Sequence, residues 1–301
     1  MSDFVRQNGT KIGFDRNSWC ILSPIEQSIK RKIEAVGIPL KDWNISINYG
    51  IKTGCNEAFI IDGETKDALI AQDPKSAEII RPILRGRDIK RYSYDFADKW
   101  LIATFPSKHY NIDDYPAIKN YLLSFGKEKL EQSGKKDIGG IKGNNARKKT
   151  NNKWFETQDT IAYWDDFSKQ KLVWKRIGSI IRFAIDEHGV CPLDSVCFLT
   201  GNENLKYIVG YLNSSFAIKQ LLDNSPKTGT GDVIISVQAL EPLLIPKCAE
   251  FEQKNVVNLV DSLLKTGDCK FIQQEIDAYF KKMLHLTDEE FSMYSCSSLE
   301  S

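Results

Sequence analysis

Three short stretches of the sequence combine lysines or arginines with amide and aromatic residues, the residue types that contact phosphates and base edges. They are NYGIKTGCNEAFIID (48–62), RGRDIKRY (85–92) and ARKKTNNKW (146–154). Arginine can bridge phosphates or bind guanine edges, lysine attracts phosphates, and asparagine can pair with adenine. Residue types alone favour a DNA-binding surface and solvated charged loops about equally. The candidate DNA-binding residues are Lys52, Thr53, Asn56, Arg85, Arg87, Lys90, Arg91, Arg147, Lys148, Lys149, Lys153 and Trp154.

Other chemistries fit the sequence less well. A phosphate loop needs G-x-x-x-x-G-K-[ST], and Gly50–Gly54 places its lysine before the second glycine. A metal-dependent nuclease using Asp62, Glu64 and Lys66 remains an alternative, although these residues are also expected in a solvated turn. An amino-methyltransferase would need an Asn-Pro-Pro-aromatic element, and the chain has no Asn-Pro pair.

Composition limits the class of protein. The chain has 301 residues, 42% hydrophobic and 27% charged, and a net charge of +1, so any basic surface must be local. Its seven cysteines form no CxxC pair and it has three histidines, which argues against structural zinc and predicts free thiols in a reducing cytoplasm. The N-terminus lacks a hydrophobic signal core. The residues present require neither metal nor soluble cofactor, and no catalytic residue is assigned.

Periodicity predicts a mixed α/β (α+β) fold in which a twisted sheet with peripheral helices precedes a C-terminal helical hairpin. Helices are predicted over Ser23–Gly37, Asp73–Ile80, Tyr115–Leu130 and Leu205–Leu222, and strands in WNISINY, FII, KWLIATFP, KLVWKRI, IIRFAID, SVCFLTG and VIISV. The segment 127–153 is predicted to be a mobile basic loop without a core of its own. The expected domains are a DNA target recognition domain over 1–246 and a helical hairpin over 247–301.

The motifs NYGIKTGCNEAFIID, DPKSAEIIRPILRGRDIKRY, KWFETQDTIAYW, KLVWKRI, VGYLNSS and LEPLLIPK occur in this order. Together they resemble the TaqI-like C-terminal specificity domain, the target-recognition module of type II restriction-modification methyltransferases and endonucleases, which is related to type I specificity subunits. The resemblance extends from about Trp19 to Phe291. It implies that DNA is contacted from the first two basic stretches, by Lys52, Thr53, Asn56, Arg85, Arg87 and Lys90.

The resemblance further implies sequence-specific recognition of double-stranded DNA in a basic cleft, formed where the cationic segments converge. The chain is then expected to be a non-catalytic module that positions DNA for a methyltransferase or nuclease domain or subunit absent from this sequence. It would be either a fragment of a longer enzyme or a separate specificity protein. The C-terminal helices would pack on the main domain, on a methyltransferase partner or on a second copy. A protein-interaction module without DNA binding is the remaining alternative.

Overall fold

The computed structural model describes residues 23–267 and 269–295, and the chain divides into two compact units. The sheet unit comprises Asn44–Leu205 and Ser225–Gln238. The helical unit comprises the described parts of Met1–Trp43, Lys206–Asn224 and Ala239–Ser301. The N-terminal segment without a signal core, Trp19, Cys20 and Cys296 lie outside the described residues. The functional division into 1–246 and 247–301 stays a prediction.

The sheet unit contains two four-stranded sheets and a small two-stranded one. Its strands are β2 (Ile45–Tyr49), β3 (Ile60–Asp62), β4 (Ile80–Leu84), β5 (Lys99–Ile102), β6 (Lys171–Lys175), β7 (Ile177–Gly178), β8 (Phe183–Asp186), β9 (Cys191–Pro192), β10 (Val196–Gly201) and β11 (Val233–Ile234). Its helices are α2 (Asn56–Phe59), α3 (Gly63–Gln72), α4 (Pro116–Leu123) and α5 (Lys127–Leu130). The sheet orders are β2-β10-β6-β8, β3-β5-β4-β9 and β11-β7.

Most strand pairs are antiparallel, but β4 and β9 run parallel, with Ile83 opposite Cys191. Residues of both four-stranded sheets share one apolar core, which includes Ile83, Leu101, Val173 and Phe198. The central strands are buried on both faces, which agrees with their continuous apolar sequences.

The helical unit contains β1 (Gly37–Pro39) paired with β12 (Leu244–Pro246), and the helices α1 (Pro24–Val36), α6 (Leu205–Leu212, whose first residue belongs to the sheet unit), α7 (Ser215–Asn224), α9 (Glu250–Thr266), α10 (Lys270–Met283) and α11 (Asp288–Ser295). The short helix α8 (Val237–Leu240) spans the boundary between the units. Phe280 packs on Tyr211 with ring centroids 4.8 Å apart. Gly210 allows α6 to approach α9 closely, because a Cβ at this position would lie 2.5 Å from Val256 Cγ1. No helix in the described ranges is long and apolar enough to cross a membrane.

The α/β architecture and the C-terminal helical region are confirmed. Ser23 caps α1 in a capping box with Glu26, and Pro24 occupies its first turn, as the sequence predicts. The Tyr115–Leu130 helix is wrong as one element, because the chain turns at Gly126 with φ +89° between α4 and α5. The Leu205–Leu222 helix is likewise divided into α6 and α7. Glu64 and Lys66, expected in a solvated turn after Asp62, lie instead in the first turn of the helix α3, which Asp62 caps.

Candidate nucleic-acid interface

A groove of about 600 Å³ opens on the sheet unit between the loop after β2 and the segment around residue 145. Its walls carry amide, lysine and carboxylate side chains. The lining residues are Lys52, Thr53, Gly54, Cys55, Asn56, Glu57, Lys129, Gly143, Asn144, Asn145, Ala146, Arg147, Gln158 and Asp194. The first and third of the three basic stretches therefore border one groove.

The loop after β2 is held in shape by the buried hydroxyl of Thr53. This hydroxyl accepts a hydrogen bond from the Cys55 N–H at 3.1 Å and donates to Asn56 Oδ1 at 2.6 Å. Gly54 adopts φ +78°, a left-handed conformation that glycine takes without strain. The loop therefore presents Lys52 and Asn56, both exposed, while Thr53 is an internal support.

Arg147 lies beneath the groove and is 4% exposed. Its guanidinium donates to the carbonyls of Leu130 (2.7 Å), Thr53 (2.9 Å), Glu156 (2.7 Å) and Trp154 (2.6 Å). Burial lowers the pKa of Arg147 to about 10. These bonds tie the loop after β2 to two other segments, so the donors predicted for DNA are directed into the protein.

The segment 134–147 is a loop whose two ends are joined by backbone hydrogen bonds. Gly134 N–H donates to the Arg147 carbonyl at 2.9 Å, and Ala146 N–H donates to the Lys135 carbonyl at 2.9 Å. Within the surrounding segment 127–153, Leu130 belongs to the shared apolar core of the sheet unit, and Gln132 and Ile138 are also buried. The segment is therefore anchored to the core of the sheet unit, and that it has no core of its own stays a prediction. Its exposed lysines are Lys127, Lys135, Lys136, Lys142, Lys148, Lys149 and Lys153.

The remaining residues of the third stretch differ in exposure. Lys153 is exposed and places its ammonium 5.5 Å from the centre of the Phe155 ring. Trp154 is half-buried and packs against the core of the sheet unit, edge to face with Phe155 at 5.6 Å. Lys148 and Lys149 are exposed next to the buried Arg147.

The second basic stretch forms a 3-10 turn, Gly86–Asp88, after β4. Asp88 accepts two hydrogen bonds from the Arg85 guanidinium, at 2.7 and 2.8 Å, and this donation to the Asp88 carboxylate raises the pKa of Arg85. Arg85 is therefore paired within the turn, and Arg87 is exposed. Lys90 forms an ion pair with Asp95 on the surface, with an N–O distance of 2.7 Å. Arg91 is half-buried and also interacts with other groups of the protein.

A buried network fixes the end of this second stretch. Tyr92 is buried, adopts φ +67° and joins β8 through a hydrogen bond from its N–H to the Phe183 carbonyl at 2.8 Å. The Tyr94 hydroxyl donates to Asp186 at 2.6 Å, and Asp186 is also paired with the fully buried Lys171. Burial, with the neighbouring Asp186 carboxylate, raises the pKa of Tyr94.

The turn at residues 193–195 links the arginine turn to the groove. Asp194 N–H donates to the Ile51 carbonyl at 3.0 Å, just before Lys52. The Ser195 hydroxyl accepts from Gly86 N–H at 3.0 Å. Only a small residue fits at Gly86, because an added Cβ would lie 3.0 Å from the Ser195 carbonyl oxygen. The two basic loops are therefore braced on the same turn.

The sequence interpretation missed Gln158, Asp194, Lys129 and Asn145 as lining residues. Gln158 lies in the motif KWFETQDTIAYW, so that motif could have identified it as a candidate residue. The other three carry no local signal, because only the fold places them beside Asn56.

The residues of the nuclease alternative have structural contacts. Asp62 caps α3 by accepting from Thr65 N–H at 2.9 Å. Lys66 pairs with Asp67 at 2.9 Å and lies over the Trp100 ring. Among the described residues, no three His, Cys, Asp or Glu side chains are grouped to hold a metal ion.

An α/β domain that presents amide, lysine and carboxylate side chains around an open groove has the features of a nucleic-acid recognition module. The family model for the TaqI-like C-terminal specificity domain matches residues 81–243, more than half of the 301 residues. The chain belongs to the TaqI-like C-terminal specificity domain family, and it is a DNA-recognition module of the restriction-modification type.

Two relatives are type II methyltransferases by name. The chain is 25% identical over 246 residues to the type II methyltransferase M.MjaIV of Methanocaldococcus jannaschii, covering 77% of this chain and 76% of that protein. It is 21% identical over 250 residues to the type II methyltransferase M.PaeR7I of Pseudomonas aeruginosa, covering 82% of this chain and 40% of that protein.

A solved structure shares the fold. The type IIL restriction-modification enzyme MmeI, determined in complex with DNA, aligns with a TM-score of 0.55 and 13% identity. The alignment covers 86% of this chain and 36% of the MmeI chain.

Proposed function

We propose that this chain binds double-stranded DNA sequence-specifically and positions it for a methyltransferase or nuclease domain or subunit outside this sequence. The observation that supports the proposal is the groove, in which Lys52, Asn56 and Asp194 provide a positive charge, a hydrogen-bond donor and an acceptor. Phosphate contacts need only positive charge, whereas discrimination between base pairs needs donors and acceptors together.

Different residues serve the two tasks in this proposal. The exposed lysines of 134–149, with the exposed Arg87 of the turn Gly86–Asp88, attract phosphates and set the register of the duplex. Base edges are contacted from the groove. Arg147 and Thr53 act indirectly, because their side chains hold the loops that carry Lys52 and Asn56.

We propose that the chain itself is non-catalytic and works in the cytoplasm with a catalytic partner. The helical unit exposes Phe251 (71%) and Phe271 (66%), which are candidates for contact with that partner or with a second copy. Light scattering of the purified chain across a concentration series tests whether two copies associate. If they do, the measured molecular mass should double as the concentration rises.

The test of DNA binding is fluorescence anisotropy with a random-sequence duplex over a salt series. Binding should weaken steeply with salt, because each phosphate contact contributes about 0.9 to the slope of log affinity against log salt. The variant Lys148→Ala/Lys149→Ala should lower that slope by about 2. The matched control, Lys254→Ala/Lys265→Ala, removes two exposed lysines of α9 and should leave the slope unchanged.

Absence of salt-dependent duplex binding by the intact chain would contradict the proposal. Incubation with plasmid DNA and Mg²⁺ tests the non-catalytic part separately. Cleavage that Glu64→Ala abolishes would establish the nuclease alternative.

A further inference from the structure

The amides on the wall of the groove are oriented by internal hydrogen bonds. The buried Thr53 hydroxyl needs an acceptor for its proton, and Asn56 Oδ1 at 2.6 Å supplies it. This contact leaves the Nδ2 group of Asn56 to face a ligand, so Asn56 is a donor. Asn145 has the same arrangement, since its Oδ1 accepts from the Asp137 N–H at 3.1 Å.

A bidentate contact to adenine requires both a donor and an acceptor from one amide. Asn56 and Asn145 each use one lone pair of Oδ1 within the protein, whereas their amide N–H groups keep both donors for a ligand, so these residues are better matched to an edge of acceptors than to the adenine edge. Guanine is the base whose major-groove edge offers two acceptors, O6 and N7, and no donor. The amide donors therefore match guanine.

The same groove contains a carboxylate available as an acceptor. Asp194 lines it, and within the described ranges no residue donates a hydrogen bond to its side chain. A carboxylate repels phosphate, which argues against a phosphate-binding role for this part of the groove. A carboxylate does match the N4 amino group of cytosine, a major-groove donor.

We infer that the groove recognises a G·C base pair from the major-groove side, with Asn56 and Asn145 donating to guanine and Asp194 accepting from cytosine. The inference rests on the proposed function and deepens it, because it names the base pair and the polarity of each contact. Lys52 at the rim supplies attraction to the adjoining backbone.

The test is selection from a duplex library with a randomised central segment, performed on the intact chain and on Asn56→Asp. This substitution keeps Oδ1 for the Thr53 hydroxyl, replaces the outward donor by an acceptor and adds one negative charge, so base preference and not total affinity is compared. The wild-type chain should select a motif with a fixed G·C pair, and Asn56→Asp should lose the guanine preference there by at least about fivefold. Asn120→Asp makes the same change on the exposed face of α4 and should select the wild-type motif.

Asn145→Asp is a second variant that retains its internal acceptor. It tests the guanine contact if a thermal melt shows that Asn56→Asp is not folded. Replacing the selected guanine by 7-deazaguanine, which lacks N7, distinguishes base from phosphate contact. It should weaken wild-type binding severalfold, and this effect should disappear in the one of Asn56→Asp and Asn145→Asp that removes the donor to N7, whereas a phosphate contact would be insensitive to the base.

The outcomes separate the two proposals. If the wild-type chain binds no duplex or enriches no sequence, the proposed function fails. If it enriches a motif without a fixed G·C pair, or if a folded Asn56→Asp or Asn145→Asp protein selects the unchanged motif, this inference is overturned and sequence-specific binding stands.

Discussion

Replacing Arg147 by methionine is expected to destabilise the sheet unit by about 3 kcal/mol, because buried carbonyls lose their donor. The carbonyls of Leu130, Thr53 and Trp154 each accept a guanidinium N–H at 2.6–2.9 Å. The fourth acceptor, the Glu156 carbonyl, keeps a hydrogen bond from Gln132 Nε2 at 3.1 Å and is not counted. An orphaned buried carbonyl costs about 1–3 kcal/mol, so three would cost roughly 3–9 kcal/mol. Removing a charge whose pKa is lowered by burial recovers part of this cost, which places the net effect near the lower limit.

The measurement is urea unfolding, followed by tryptophan fluorescence, together with hydrogen exchange resolved by peptide. Because the chain has two units, one unfolding midpoint is not assumed to describe both. Exchange should accelerate in peptides around residues 52–57 and 130–158, which Arg147 connects. Peptides of α9 and α10 should be unaffected.

Lys148→Met is the matched control, because it removes an exposed cation at the adjacent position and should change stability by less than about 0.5 kcal/mol. The reasoning is refuted if Arg147→Met is as stable as Lys148→Met and exchanges at the wild-type rate. Loss of DNA affinity in such a stable Arg147→Met protein would instead support direct contact, as the sequence first suggested.

Three further predictions concern other buried contacts. Lys171→Met should destabilise the chain by about 3–5 kcal/mol in urea unfolding, because it leaves Asp186 buried and charged. Adding Asp186→Asn removes that charge and keeps Oδ1 as the acceptor for the Tyr94 hydroxyl and the His188 N–H, so it should recover part of the loss. Gly210→Val should destabilise the helical unit by about 1–3 kcal/mol, since its side chain would overlap Val256, and an unchanged melting temperature would contradict this. Burial raises the pKa of Glu290, but hydrogen bonds from an ammonium, a backbone N–H and a hydroxyl outweigh it and lower the pKa from 4.5 to about 2. Glu290 therefore stabilises the fold above pH 4.5 and loses this contribution as the pH falls to about 2, so Glu290→Gln should flatten the pH dependence of the melting temperature in that window.

Local signals in the sequence predicted the regular elements well. Ser23 and Pro24 fixed the start of α1, and the apolar runs of β6 and β10 identified central strands. Local signals failed at breaks inside apolar periodicity. The apolar pattern of residues 115–130 continues through Gly126, and this pattern was followed although a glycine there is a signal for the end of a helix.

The roles of the candidate residues were less predictable than their positions. Arg147, Lys148 and Lys149 are consecutive cations in the sequence, yet one is buried and two are exposed. The difference arises from carbonyls supplied by residues 53, 130, 154 and 156, and no local pattern records that convergence. The position of Asp194 in the groove could not be predicted from the sequence for the same reason.

The turn at residues 193–195 has a consequence for the order of assembly. β4 pairs in parallel with β9, more than a hundred residues later, and the adjoining turn braces both Gly86 and Ile51. Contacts of such large sequence separation form slowly, because a long loop must close first. In a nascent chain that ends before β9, both early basic loops are already present, but the turn that braces them has not yet been synthesised. Competence to bind a target should therefore arise late in synthesis, only after residue 196 has been added.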